Sequence, residues 1–60
     1  MNNNETRHVM TDLTNTLLDE VELIDQMIEQ APLDTGLLKL RVTAMTVILT
    51  ALKGCVEEIK

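Results

Sequence analysis

The second half of the chain, residues 37–60, carries more apolar surface than one neighbouring helix can cover. On a helical wheel of about 100° per residue its polar side chains gather into one narrow row, formed by Lys39, Thr43, Thr46, Thr50, Lys53 and Glu57. Apolar residues fill the remaining arc of about 240°, whereas a surface helix usually has an apolar stripe of about 100°. Such a helix is buried on several sides, in a large protein, in a membrane or in an oligomer.

This apolar arc has a part with large side chains and a part with smaller ones. The large residues are Leu38, Val42, Met45, Ile48, Leu49, Leu52, Val56 and Ile59. The smaller-residue part lies beside them and consists of Leu40, Ala44, Val47, Ala51, Gly54 and Cys55. Because small side chains let helix axes approach closely, we expect the interface between subunits to be formed by Leu40, Ala44, Val47, Ala51 and Cys55.

The short chain favours the oligomer. A domain of 60 residues buries only about 60% of its unfolded surface and is marginally stable without a disulfide, a metal or a partner. Cys55 is the one cysteine, so it forms no internal disulfide, and we expect a buried thiol in a reducing compartment. His8 and Cys55 lack companions at metal-ligand spacing, and we expect no metal and no cofactor. A homodimer or higher homo-oligomer is therefore predicted.

Charge and composition argue against other partners. A membrane span needs about 18 nearly uncharged apolar residues, but the apolar run of residues 42–52 is short and flanked by Arg41 and Lys53. The net charge of −5 and the lack of aromatic residues make nucleic acid an unfavourable partner. The start, Met1 to Glu5, has neither the basic nor the apolar region of a signal peptide. We expect a cytoplasmic protein with no membrane partner.

Two helical segments separated by a proline predict an all-α fold. After a flexible start at residues 1–4, with Asn4 as a candidate N-cap, the first helix is predicted at about 5–31. Pro32 disfavours the helical conformation in the residue before it, which ends this helix. The turn covers 32–34, and Asp34 caps a second helix at about 34–60. Residues 5–60 then form a single domain.

So short a connection predicts an antiparallel two-helix hairpin, which we expect to homodimerise into a four-helix bundle. The apolar face predicted for the first helix consists of Val9, Met10, Leu13, Leu17, Val21, Ile24, Met27, Ile28 and Ala31. A turn near residue 33 would pair Leu38 with Ile28, Met45 with Val21 and Leu52 with Leu13. The opposite face of the first helix is acidic, and Asp12, Asp19, Glu22 and Glu29 are its candidate contacts to a basic protein partner.

Glu20 and Arg41 interrupt the apolar arcs of the two helices. A buried charge without a partner costs several kcal/mol, so we predict a buried ion pair between them, either within one chain or between subunits. Asp25 is the alternative partner of Arg41 within one chain. In another interpretation both long side chains extend to water.

Nothing in the sequence indicates catalysis, since acid–base chemistry needs a pocket and a second group in reach of a substrate. The outline of the whole chain resembles small phage- or plasmid-encoded helical hairpins of the Rop type, in which two hairpins form a four-helix bundle. The basic RNA-contacting face of that family has no counterpart here, so the resemblance does not imply RNA binding. The stretch from Gln30 to Leu38 is similar to the turn of type III secretion needle subunits and of their hairpin co-chaperones.

These observations favour a non-enzymatic, self-associating accessory or regulatory protein, of the kind encoded by phages, that acts through protein–protein contacts. One alternative is a secretion needle-type subunit or hairpin chaperone whose second helix is covered by a different protein. The other is a nucleic-acid-directed regulator or an acidic mimic of DNA.

Overall fold

The computed structural model of the protein describes residues 2–59 and shows two α-helices, α1 (Asn3–Glu29) and α2 (Thr35–Glu58). The part of the chain that is described contains no strand. The helices lie antiparallel in a hairpin whose backbone extends 46 × 15 × 12 Å. The predicted all-α hairpin is confirmed.

Helix α1 begins earlier than the sequence suggested, because a capping box closes its first turn. The Glu5 backbone N–H donates to Asn2 Oδ1 at 2.9 Å, and the Asn2 N–H donates to Glu5 Oε2 at 3.4 Å. This motif needs a glutamate three residues after the cap, and only Asn2 stands at that distance from Glu5. The prediction of Asn4 as the cap was therefore wrong. Asn2, Asn3 and Asn4 are part of the folded helix end, and Met1 lies outside the described residues.

The connection between the helices is set by Pro32 and Asp34. Helix α1 ends at Glu29, and Gln30 already has an extended backbone, so the helix stops before Ala31, the residue in which Pro32 disfavours the helical conformation. The Asp34 side chain accepts from the Leu37 N–H at 3.0 Å. Asp34 is thus the N-cap of α2, as the sequence predicted.

The residues that the two helices turn towards each other follow the 3-and-4 spacing of a coiled coil. We call them the inner row. In α1 they are Thr6, Met10, Leu13, Leu17, Glu20, Ile24 and Met27. In α2 they are Leu38, Arg41, Met45, Ile48, Leu52 and Cys55. Both charged residues that seemed to interrupt the apolar pattern are members of the inner row.

The inner row corrects two details of the predicted packing. Val9, Val21 and Ile28, expected on the buried face of α1, are exposed, whereas Thr6, which was not predicted to be buried, is only 1% exposed. Glu20 and Arg41 are in contact, and Val21 and Met45, which the sequence paired, line one groove between the helices.

This hairpin has almost no core of its own. Among residues 2–59 only Thr6 and Cys55 are buried. Thirteen large apolar side chains in that range are exposed, and eleven of them lie in α1 or α2, outside the inner row. Two helices cover one strip of each other, so most of the apolar arc of α2 is open to solvent.

Replacing the cap of α2 tests how its start is fixed. Asp34→Ala removes the acceptor for the Leu37 N–H and should lower the free energy of unfolding by about 0.5 to 2 kcal/mol. Asp34→Asn keeps an acceptor oxygen and should change it by only a few tenths of a kcal/mol. Urea unfolding at one fixed protein concentration measures both. Equal losses for the two variants would show that this hydrogen bond does not hold the turn.

Candidate interaction surfaces

The central polar contact of the hairpin joins Glu20 of α1 to Arg41 of α2. Arg41 Nη1 donates to Glu20 Oε1 at 3.3 Å, within one chain. The side chains are 33% exposed for Arg41 and 17% exposed for Glu20, so the pair is half-buried. The structure thus brings together the two residues that the sequence paired, and Asp25, the alternative partner, is exposed.

This ion pair is incompletely hydrogen-bonded. Glu20 Oε2 and Arg41 Nε are buried and have no hydrogen-bond partner within residues 2–59. A pair with one direct hydrogen bond and two desolvated polar atoms adds little net stability. We expect its main effect to be on register, because the inner-row neighbours of both charges are apolar and an alignment that separates the pair would leave each charge facing them.

One broad side of the hairpin carries a row of large apolar side chains, which we call the groove face. It consists of Val21, Ile28, Val42, Leu49 and Val56, all exposed. With the inner-row residues Ile24 and Met45, part of this row lines an open groove of about 360 Å³ between the helices. The groove face was not identified from the sequence, because its α1 members were assigned to the interior and its α2 members were not separated from the inner row.

The opposite broad side carries the smaller residues that were predicted to form the interface between subunits. We call Leu40, Ala44, Val47 and Ala51 the flank. Leu40 and Val47 are 68% and 64% exposed, Ala51 is exposed and Ala44 is half-buried. Cys55 does not belong to this surface. It lies in the inner row and is 8% exposed, because the 3-and-4 spacing turns it towards α1, so its inclusion in the interface was wrong.

The outward side of α1 is acidic. Asp12, Asp19, Glu22 and Glu29 are all exposed, as a solvated row requires. Within residues 2–59 no three His, Cys, Asp or Glu side chains are placed to hold a metal ion. Among residues 2–59 these four acids form no ion pair.

Helix α2 is long and apolar enough to cross a membrane if only length and composition are considered, and none of its most apolar 18 residues is buried in the hairpin. Arg41 is paired with Glu20 on α1. Moving α2 into a bilayer would separate this pair or carry Glu20 with it, and a charge at the centre of a membrane helix is unfavourable by about 3 kcal/mol or more.

No family model, no curated protein and no solved structure matches the chain.

A double-mutant cycle tests the ion pair. Glu20→Leu alone or Arg41→Met alone leaves a half-buried charge without its partner and should lower the free energy of unfolding by about 1 to 3 kcal/mol. With both changes the charges are gone and the stability should return close to the wild-type value. The coupling energy, from urea unfolding at one protein concentration, should exceed about 0.5 kcal/mol.

The matched control combines Arg41→Met with Asp25→Leu. Asp25 carries the same charge on the same helix but does not contact Arg41. Its coupling to Arg41 should stay below about 0.5 kcal/mol. A cycle in which Asp25 couples more strongly than Glu20 would contradict the pairing of Arg41 with Glu20.

Proposed function

We propose that this protein is a non-enzymatic accessory or regulatory protein that acts through protein–protein contacts and whose working form is a homo-oligomer. The simplest closed form is a dimer of hairpins, a four-helix bundle, because a two-fold axis covers the same surface on both subunits. The observation that carries this proposal is the open apolar surface of α2, on a hairpin in which only Thr6 and Cys55 are buried among the described residues.

Size supports the same proposal. A specific, stable interface buries about 800 Å² on each partner. The hairpin has an accessible surface of 4742 Å², and one broad side, 46 Å long and 15 Å wide, provides an area of that order. Covering one side would remove from water a large part of the exposed apolar residues, which is the dominant favourable contribution in association.

If folding is coupled to association, thermal stability must depend on protein concentration. A tenfold increase in concentration adds about 1.4 kcal/mol to the stability of a dimer, which for 120 ordered residues raises Tm by about 5 °C. Melting curves of the wild type, recorded by circular dichroism at protein concentrations from about 5 µM to about 500 µM, measure this shift in Tm.

A concentration-independent Tm would contradict the proposal, since it describes a hairpin that folds alone. A second control adds neutral lipid vesicles to the protein and separates the vesicles by sedimentation. If helical protein sediments with the vesicles, the apolar surface of α2 is assigned to a membrane instead of to a second subunit.

The acidic row offers a second contact that self-association leaves free. We propose that Asp12, Asp19, Glu22 and Glu29 face a basic protein partner, because they lie on the side of α1 away from α2. Affinity capture from the native host, at low and at high salt, compares the wild type with a variant in which both Asp become Asn and both Glu become Gln. We expect proteins that bind only the wild type, and only at low salt. Identical capture by both would contradict this role.

A further inference from the structure

The two broad sides of the hairpin differ in their apolar side chains. On α2 the groove face has Val42, Leu49 and Val56, and it continues across the groove onto Val21 and Ile28 of α1. The flank has alanines at the equivalent positions of α2. Side chains of a second protein can therefore enter the open groove of about 360 Å³ and contact both helices. The groove face thus offers an apolar surface that spans both helices.

Three threonine hydroxyls on the groove side are already satisfied within their own helices. Thr46, which lines the groove, donates its hydroxyl to the Val42 carbonyl at 3.1 Å. On α1, the hydroxyls of Thr11 and Thr14 donate to the carbonyls of Arg7 and Met10 at 3.0 and 2.8 Å. A hydroxyl with an internal acceptor can be covered at little cost, whereas an unsatisfied one is expensive to bury. The groove side can thus be dehydrated by a partner.

The charges of the two sides also differ, and this separates a second copy from other partners. The charged residues on the flank side are acidic: Glu5 and Glu58, with Asp12 and Asp19 of the outward acidic row next to them. Two copies docked through their flanks would bring like charges together, which is unfavourable. On the groove side, Arg7, Lys39 and Lys53 accompany Asp25, and Glu29 and Glu57 lie at its outer edge. That side has both signs and can pair with itself.

We propose that the groove face, and not the flank, is the surface through which a second copy of this chain docks. This inference rests on the proposed self-association and identifies its interface. With the turns of both hairpins at the same end, α1 of the second copy lies over α2, and its Asp25 comes level with Lys39. With the turns at opposite ends, and a two-fold axis that crosses the middle of α1, the α1 helices of the two copies lie over each other. Asp25 of one copy then comes level with Arg7 of the other. In both cases the acid meets a base.

Three single glutamate substitutions in one turn of α2 separate the two sides. Leu49→Glu places a charge on the groove face, Ala51→Glu places it on the flank, and Thr50→Glu places it on the outward side between them. A buried, unpaired charge strongly weakens an interface. By sedimentation, Leu49→Glu should raise the dimer Kd at least about 100-fold, whereas Ala51→Glu and Thr50→Glu should stay close to the wild type.

Different outcomes overturn different claims. If Ala51→Glu weakens the dimer as much as Leu49→Glu or more, the groove face is not the interface, and self-association itself still stands. If the wild type is a folded monomer, both this inference and the proposed function fail. A dimer of Leu49→Glu as tight as that of the wild type also overturns the inference.

Thiol reactivity keeps the inference testable if Leu49→Glu does not fold. Single-cysteine proteins are made in a Cys55→Ala background, with Leu49→Cys on the groove face and Val47→Cys beside the flank alanines. Both positions are exposed in the hairpin. At concentrations that favour the dimer, the thiol at position 49 should react with a neutral maleimide at least about tenfold more slowly than at position 47. Equal rates, or slower reaction at position 47, overturn the inference.

Discussion

Two helices can cover only one strip of each other, and this limit controls the rest of the structure. In α1 and α2 the covered strip is the inner row, with its alternating spacing of three and four residues. Apolar residues on either side of that strip, from Val42 to Val56 on one side and from Leu40 to Ala51 on the other, are left in water. Hydrophobic burial is the main favourable contribution in folding, and a hairpin that forgoes so much of it is marginal alone.

The Glu20–Arg41 pair has a different role from the apolar contacts. Met, Leu and Ile side chains are adaptable, so an inner row made of them alone tolerates a shift of one turn with modest loss. A shifted register would leave Glu20 and Arg41 opposite apolar side chains, which is costly for a half-buried charge. With one hydrogen bond of 3.3 Å the pair adds little net stability, and we expect its main effect to be that it disfavours such shifts.

The sequence was sufficient for the fold and for part of the candidate site. Helical periodicity and the Pro32–Asp34 turn predicted the hairpin, and the rule that buried charges are paired brought Glu20 and Arg41 together. The two charges were treated as exceptions to the apolar face, although they occupy inner-row positions. Cys55 was assigned to the flank because a helical wheel shows which residues are neighbours, but not which strip of a wide apolar arc the first partner covers. That choice is made by both helices together.

The central claim is that the hairpin is one part of a larger assembly of identical chains. Sedimentation equilibrium of the wild type at micromolar concentration tests it most directly. The account predicts a helical species with twice the 6.7 kDa mass of one chain, or a higher whole multiple, that dissociates and loses helix on dilution. A stable, fully helical species of 6.7 kDa over the whole concentration range would contradict it.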